Sequence, residues 1–189
     1  NDLSLKVTGK TRYLHDMNLP GQLYGAVLRS PHPHARIKRI DASKALRAEG
    51  VAAVLTGDDV PHLPYGPTRF KDWNILAKDR VLYIGDEVAA VAAETREAAE
   101  RALSLIEVEY EELPAVFDPE EAMAIGAPAV HPDAERNRRM HVFLERGDIE
   151  EARRKAHIVR GGRYYSNRIY QGHLEPIGVL ASWSEEEGL

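Results

Sequence analysis

The chain has 189 residues, 43% of them apolar, with a net charge of −5 and no cysteine. That allows one medium domain, or one domain and part of a second, with a real core. It excludes disulfides, thiolate metal sites, a cysteine nucleophile and Cys-ligated iron–sulfur clusters within the chain, and no basic stripe points to a nucleic-acid partner. No apolar run approaches the roughly 18–20 residues that cross a bilayer, so no membrane partner is expected. The start, Asn1-Asp2-Leu3, carries no basic region followed by an apolar run, so no signal peptide is expected and a cytoplasmic location fits the absence of cysteine. The missing initiator Met and the abrupt "WSEEEGL" end together suggest a piece of something longer.

In chain order, "QLYGAVLRS" (22–30) predicts a buried strand. Pro31 and Pro33 flank His32 and remove two backbone donors, so the ladder breaks there. "ARIKRI" (35–40) predicts a second strand. Asp41 and Ser43 are both N-cap types, "ASKALRAE" is helical in propensity, and Gly50 suits the position just past a helix end. "VAAVLT" (51–56) predicts a strand, broken by "GDDVP". Residues 61–80, rich in Pro and Gly, predict a long loop anchored by Phe70 and Trp73.

"RVLYIG" (80–85) and "EVAAVAAE" (87–94) predict strands about a Gly85-Asp86 turn, although an alanine-rich run can also be helical. Thr95 caps "REAAERALSLI", whose apolar stripe is Ala98, Ala102, Leu105 and Ile106. "EVEYEE" (107–112) alternates as a half-exposed strand. "DPEEAMA" has Asp at the N-cap, Pro at N1 and an acidic first turn, all of which favour a helix start. Residues 125–140 predict a linker or domain boundary. Asp148 caps "IEEARRKA" with Glu151 at N3. "HIVRGGRYYSNRIY" (157–170) and "IGVLASW" (177–183) read as strands, which completes a mixed α+β chain. Charge is uneven: residues 86–121 hold 12 acids against 2 Arg, and residues 135–168 hold 10 Lys/Arg against 5 acids. Two solvated faces account for this, as would mutual attraction.

The chemistry-bearing residues form no complete constellation. His32-x-His34 would share a face in an extended segment and could begin a metal site, but a third ligand is missing and a rigid strand entrance is the better reading. "GDD" (57–59) could bind magnesium, yet adjacent acids after a strand more often make a turn. His173 and Glu175 could form an acid–base pair, but no nucleophile accompanies them. "RGGRYY" lacks P-loop spacing, and Arg160, Arg163 and Arg168 could touch an anion.

The order of motifs says more than any one of them. "VTGKTRYLHDMNLPGQLYGAVLRSPHPHARIKRID" (7–41) closely resembles the opening of the molybdenum-carrying large subunit of the xanthine dehydrogenase and aldehyde oxidase family. The resemblance rests on Gly9, Tyr13, Asp16, Leu23, Leu28, Arg29, Ser30, Pro31, His32, His34, Ala35 and Ile37. "GDEVAAVAAETREAAERALSLIEVEYEELPAVFDPEEA" (85–122) matches the family's next signature, and "RGDIEEARRKAHIV" and "LEPIGVLASW" follow in order.

The resemblance implies an α/β hammerhead domain, placed at 1–124, a linker at 125–140, and the incomplete start of a molybdopterin-binding domain at 141–189. It implies hydroxylation of an aldehyde or N-heterocycle carbon, or a related reaction such as carbon monoxide oxidation, in the full-length subunit. Molybdenum–molybdopterin would perform the redox step, and iron–sulfur and FAD subunits or domains would take the electrons. The full-length enzyme is expected to be an oligomer acting on a small molecule. The Ser-Pro-His-x-His-Ala stretch would be structural, with no metal ligand and no catalytic residue on this chain, which alone would be inactive.

Several members carry Gln-x-His-x-x-Leu/Met-Glu, with the glutamine beside the metal's oxo ligand. Here the run is Gln171-Gly172-His173-Leu174-Glu175, two residues shorter; aligned without a gap, the glutamine position falls on Ile169. Gln171 is the one cofactor-binding candidate. Glu175-Pro176 matches bacterial relatives of the carbon monoxide dehydrogenase and hydroxybenzoyl-CoA reductase types. The alternative is a stand-alone binding or assembly module built on the same fold.

Overall fold

The computed structural model describes residues 3–61, 63, 65–66, 71–173, 175 and 177–186. They fall into two compact units: a central one, Gly21–Val142, and a terminal one that joins residues through Pro20 to those from Phe143 onward. The expected 125–140 linker therefore lies inside the central unit, while the opening residues group with the far end of the chain.

The central unit holds β1 (Tyr24–Arg29), β2 (Ala35–Asp41), α2 (Ser43–Leu46), β3 (Val51–Thr56), β4 (Arg80–Val81), β5 (Glu87–Ala93), α3 (Arg96–Leu103), β6 (Glu107–Glu112) and α4 (Pro119–Ala122), numbered after α1 (Leu3–Val7) of the terminal unit. Two antiparallel three-stranded sheets form, in the orders β1-β5-β3 and β4-β2-β6. The alanine-rich run at 87–94 resolves as a strand because both of its edges are paired. Tertiary pairing overrides its helical propensity.

The core is built from small side chains. Ala98, Ala99 and Ala102 of α3, with Ile106 beyond it, pack on Ala89, Val91 and Ala93 of β5 and on Ala45 of α2. Alanine on both surfaces lets a helix approach a sheet closely enough for its backbone to join the packing. A second cluster joins Ala35, Ala77, Val81 and Val88, and Ile40 and Val108 border both clusters.

Two caps of the central unit form where the residue types place them, whereas α2 starts at an Ala42 N-cap with no side-chain bond and ends at Arg47, short of Gly50. Thr95 Oγ1 accepts the Ala98 N–H at 3.1 Å, and Asp118 Oδ1 accepts those of Glu120 and Glu121 at 2.8 and 3.0 Å. Other expectations are corrected. β1 is half-exposed, not buried, with Val27 39% exposed. The strand expected at 80–85 stops at Val81, because Asp86 Oδ2 takes the Leu82 N–H at 2.8 Å and removes it from any ladder. α2 is a single turn in which Ala45 alone is buried. In α3, Ala99 is buried in place of Leu105. Phe70 lies outside the described residues. Trp73 is 47% exposed against Tyr65, and Leu76 and Ala77 are the buried ones among the described residues of that stretch.

Residues 122–139 are tied down by side chains. Asn137 accepts the Val130 N–H at 2.8 Å and donates to the carbonyls of Ala122 and Pro128 at 2.9 Å each. Arg136 donates to Met123 O at 2.7 Å, and Arg139 meets Asp72 at 2.7 Å.

In the terminal unit, α5 (Ile149–Lys155) is capped by Asp148, whose Oδ1 accepts the Glu151 N–H at 2.8 Å. The strands expected at 157–170 and 177–183 do not form among the described residues, and their apolar side chains are exposed, including Ile158, Tyr164, Ile169, Ile177 and Val179. A strand is stabilised by the ladder beside it, and no partner strand is present there among the described residues.

A methyl group at Gly57 would lie 2.6 Å from the Ala77 carbonyl oxygen and 2.7 Å from Lys78 Cα, both backbone atoms. We predict that Gly57→Ala costs about 1–3 kcal/mol through overpacking, read as a lower urea midpoint. An unchanged midpoint would show that the 56–59 turn and the 77–78 backbone are not held together.

Candidate functional site

The nine residues from Arg29 to Ile37 carry the chain from one sheet to the other. Ser30 is 2% exposed. Its N–H donates to Asp86 O and its carbonyl accepts the Gly85 N–H, both at 2.8 Å. Its hydroxyl accepts the His32 N–H and donates to the His32 carbonyl, at 3.0 Å each. With both hydroxyl functions engaged in a tight turn, Ser30 is not placed as a nucleophile.

The two histidines do not converge on a metal. The His32 ring tilts against Tyr110 at 4.8 Å, and its Nδ1 lies 3.5 Å from Glu112 Oε1. His34 is 4% exposed and its Nδ1 meets the Pro114 carbonyl at 2.7 Å. Because a carbonyl only accepts, that nitrogen carries the proton. Leu113 N–H donates to the His34 carbonyl at 2.9 Å, so side chain and backbone both bind the segment that follows β6. Among the described residues no group of three His, Asp or Glu side chains could hold a metal ion.

An acid–phenol cluster borders this crossing. Tyr83 Oη donates to Glu87 Oε2 at 3.1 Å, and Arg29 bridges Glu87 at 2.6 Å and the Gly85 carbonyl at 2.7 Å. Burial, and then the charges of Asp86 and Glu87, push the Tyr83 phenol up to about 12. Burial also raises the Asp86 carboxyl above its usual value. Sequence reading treats Asp86 only as a turn residue, and nothing local signals that Leu82 is its partner.

"GDD" is a turn. Asp59 Oδ2 accepts the N–H and the hydroxyl of Thr56, both at 2.8 Å, and Asp58 pairs with Lys78 at 2.8 Å. The hydrogen bonds from Thr56 hold the Asp59 carboxyl below its ordinary value. A cleft of about 950 Å³ in the central unit runs between residues 71–82 and 130–139; its wall mixes both signs of charge, with Arg139 on Asp72 and Arg138 near Glu135. No single ligand charge is selected by such a wall.

In the terminal unit, Gln171 is exposed, and it makes no hydrogen bond to another described residue. Gly172 follows at φ +68°, a turn conformation suited to glycine. His173 packs edge-on to Tyr170 at 6.3 Å. Glu175 is not paired with it; Glu175 Oε1 accepts the Leu14 N–H at 2.8 Å instead, so the suggested acid–base pair is not assembled. Arg163 stacks over Tyr165 at 5.0 Å in an exposed stretch, and Arg160 and Arg168 are also exposed.

Comparison with known proteins supplies what the geometry leaves open. A family model described as the a/b hammerhead domain of aldehyde oxidase and xanthine dehydrogenase matches residues 8–114. The chain is 42% identical over 183 residues to one subunit of a probable xanthine dehydrogenase of Bacillus subtilis, a match that covers 97% of the chain and 24% of that protein. It is 39% identical over 196 residues to a carbon monoxide dehydrogenase large chain of Afipia carboxidovorans, over 95% of the chain and 24% of that protein. Among solved structures, reconstituted CO dehydrogenase from Oligotropha carboxidovorans aligns with TM-score 0.63 and 45% identity, over 67% of this chain and 16% of that one. Aldehyde oxidoreductase from Desulfovibrio gigas aligns with TM-score 0.64 and 33% identity, over 71% and 16%. The chain thus spans about a quarter of the length of the first two relatives.

The crossing can be tested at two residues. His34→Ala removes the donor to Pro114 and costs about 2 kcal/mol, whereas His32→Ala costs less than about 1 kcal/mol; chemical denaturation of both variants measures the order, and a reversed order would sink the structural role of His34. Asp86→Asn keeps an oxygen for the Leu82 N–H and removes the partly buried charge. The raised folded value means that Asp86 favours the fold when protonated and loses that contribution as pH rises through it. The variant should therefore melt higher than the parent at pH 7, with the gap closing as pH falls toward the ordinary carboxylate value of 3.8. A gap that is constant with pH would count against this.

Proposed function

Since the chain belongs to the aldehyde oxidase and xanthine dehydrogenase family through its hammerhead domain, we propose that it is the N-terminal part of the molybdopterin-binding large subunit of a molybdenum hydroxylase or dehydrogenase. The observation that carries this reading is similarity over 97% of the chain to a protein about four times as long. The role of this stretch is structural and assembly-related. The central unit supplies a close-packed scaffold, and the segment after Phe143 begins the cofactor-binding region.

The donor chemistry of that segment fits the group. The Gln171 side chain offers an exposed amide N–H pair, free among the described residues, beside a glycine-permitted turn. We assign Gln171 as the cofactor neighbour on this chain. Molybdenum–molybdopterin supplies the two-electron redox chemistry when bound, and the protein's share is orientation and electrostatics. Gln171 would donate a hydrogen bond to an oxygen or sulfur acceptor of that group.

The partners that fit are the iron–sulfur and FAD subunits or domains of the same enzyme, with a small-molecule substrate in the complete assembly. No helix among the described residues is long and apolar enough to cross a membrane, and a cytoplasmic enzyme accords with the cysteine-free composition.

The reading frame after Leu189 tests the proposal. It should continue for several hundred codons, and the 189-residue chain alone should reduce no dye with aldehydes or purines. A stop codon directly after Leu189, or turnover by the isolated chain, would overturn it and favour a self-contained module.

A further inference from the structure

Among the described residues the segment that carries Gln171 forms no strand, yet Glu175 and Gly178 both meet Leu14. The turn Tyr13–Asp16 is built by its own side chains. Asp16 Oδ2 accepts the Tyr13 N–H at 2.9 Å, and Arg12 donates to the Asp16 carbonyl at 3.1 Å. Asp16 and Met17 N–H groups close the turn on Tyr13 and Leu14 carbonyls at 3.0 and 3.1 Å. The Leu14 N–H is a first-turn donor with no partner inside the turn. It is taken by Glu175 Oε1 at 2.8 Å, across 161 residues of sequence. Three positions further on, Gly178 lies against the same residue: a methyl group there would fall 2.5 Å from Leu14 Cδ2. Leu14 therefore meets Glu175 by its backbone and Gly178 by its side chain, and Glu175 lies four positions after Gln171.

We propose that Glu175 is a positioning residue: its carboxylate, held by the Leu14 N–H, sets the turn that presents Gln171. This rests on the reading of Gln171 as the cofactor neighbour. A carboxylate accepting a backbone N–H makes a charge-assisted bond, stronger than a neutral one. It fixes the chain three positions after Gly172, whose φ of +68° is a turn conformation.

Residue-level hydrogen exchange on the 189-residue chain tests it. Glu175→Ala should speed exchange at the Leu14 amide and at residues 171–173 together, by about tenfold for the loss of one such bond. Glu175→Gln, which keeps an acceptor oxygen, should restore most of the protection. Leu14→Pro deletes the donor from the other side; Tyr13 is extended at φ −100° and ψ 169°, so a following proline is tolerated. Its effect at 171–173 should match that of Glu175→Ala. The amides of β5 serve as the folding control. Opening at Leu14 without opening at 171–173, or no rescue by Glu175→Gln, would overturn the proposal. In the metal-loaded subunit, Gln171→Ala should alter the molybdenum spectrum. If it does not while the exchange coupling holds, the cofactor reading has failed and the positioning role falls with it. If it does while the coupling is absent, Glu175 alone is refuted.

Discussion

The crossing between the two sheets is the constraint on which the central unit depends. β1 belongs to one sheet and β2 to the other, and five residues, Ser30 to His34, make the transfer. Two prolines in that stretch cannot donate to a ladder, so the chain is free to leave the first sheet there. What it loses in ladder bonds is replaced locally. Ser30 turns the backbone with its hydroxyl and is bonded on both sides to the 85–86 turn, while His34 reaches the Pro114 carbonyl. Because β5 and β6 are joined through α3, the crossing and the helix close the two ends of one loop of structure. A displaced His34 would shift β2, and with it the register against β6.

That arrangement explains the alanines. A helix and two sheets tied by short connections leave little room between layers, and Ala89, Ala93, Ala98, Ala99 and Ala102 fit the gap. The same tightness makes Gly57 obligatory where the 56–59 turn meets the backbone at 77–78. The acidic stretch 86–121 finds its partners within this unit. Glu87 pairs with Arg29, Glu111 with Arg36 and Lys38, and Glu107 with Lys44. Of the basic residues of 135–168, Arg139 pairs with Asp72, and Arg153 and Lys155 pair with Glu150 and Glu151 of their own helix. These pairs are mostly solvent-exposed, and each contributes little.

Features set within a few residues are readable from the sequence. Thr95, Asp118 and Asp148 all cap where their types and spacing place them, and the alternation of β6 largely survives into the sheet, while a register shift between Ile37 and Arg39 interrupts that of β2. Features set at long range are not. Among the described residues the 157–183 stretch lacks the partner strand its β-branched and aromatic residues would need, whereas the truncation of β4 rests on a bond only four residues long, from the Leu82 N–H to Asp86, that residue type alone does not signal. The candidate site divides in the same way. Gln171 can be singled out only through the order of family motifs, since an isolated glutamine in an exposed turn carries no chemical signature. Glu175 is visible as a carboxylate near a histidine, but its actual partner, a backbone N–H 161 positions away, leaves no trace in the local pattern.

The distribution of polar function follows from the packing. In the central unit the candidate groups are consumed by structure: the Ser30 hydroxyl by a turn, His34 by a carbonyl, Asp59 by Thr56, Asn137 by three backbone groups. A scaffold held this way engages most of these groups, His34 Nε2 being a buried exception, and so has few left over for a substrate. The terminal unit is the reverse. Among its described residues ladders are absent, apolar side chains lie open, and Gln171 keeps an unengaged amide. A group that must hold a cofactor cannot also be spent on closing a turn. The residues able to do chemistry are therefore expected where local structure is poorest, and one long-range bond such as Leu14 to Glu175 then matters more than it would inside a sheet.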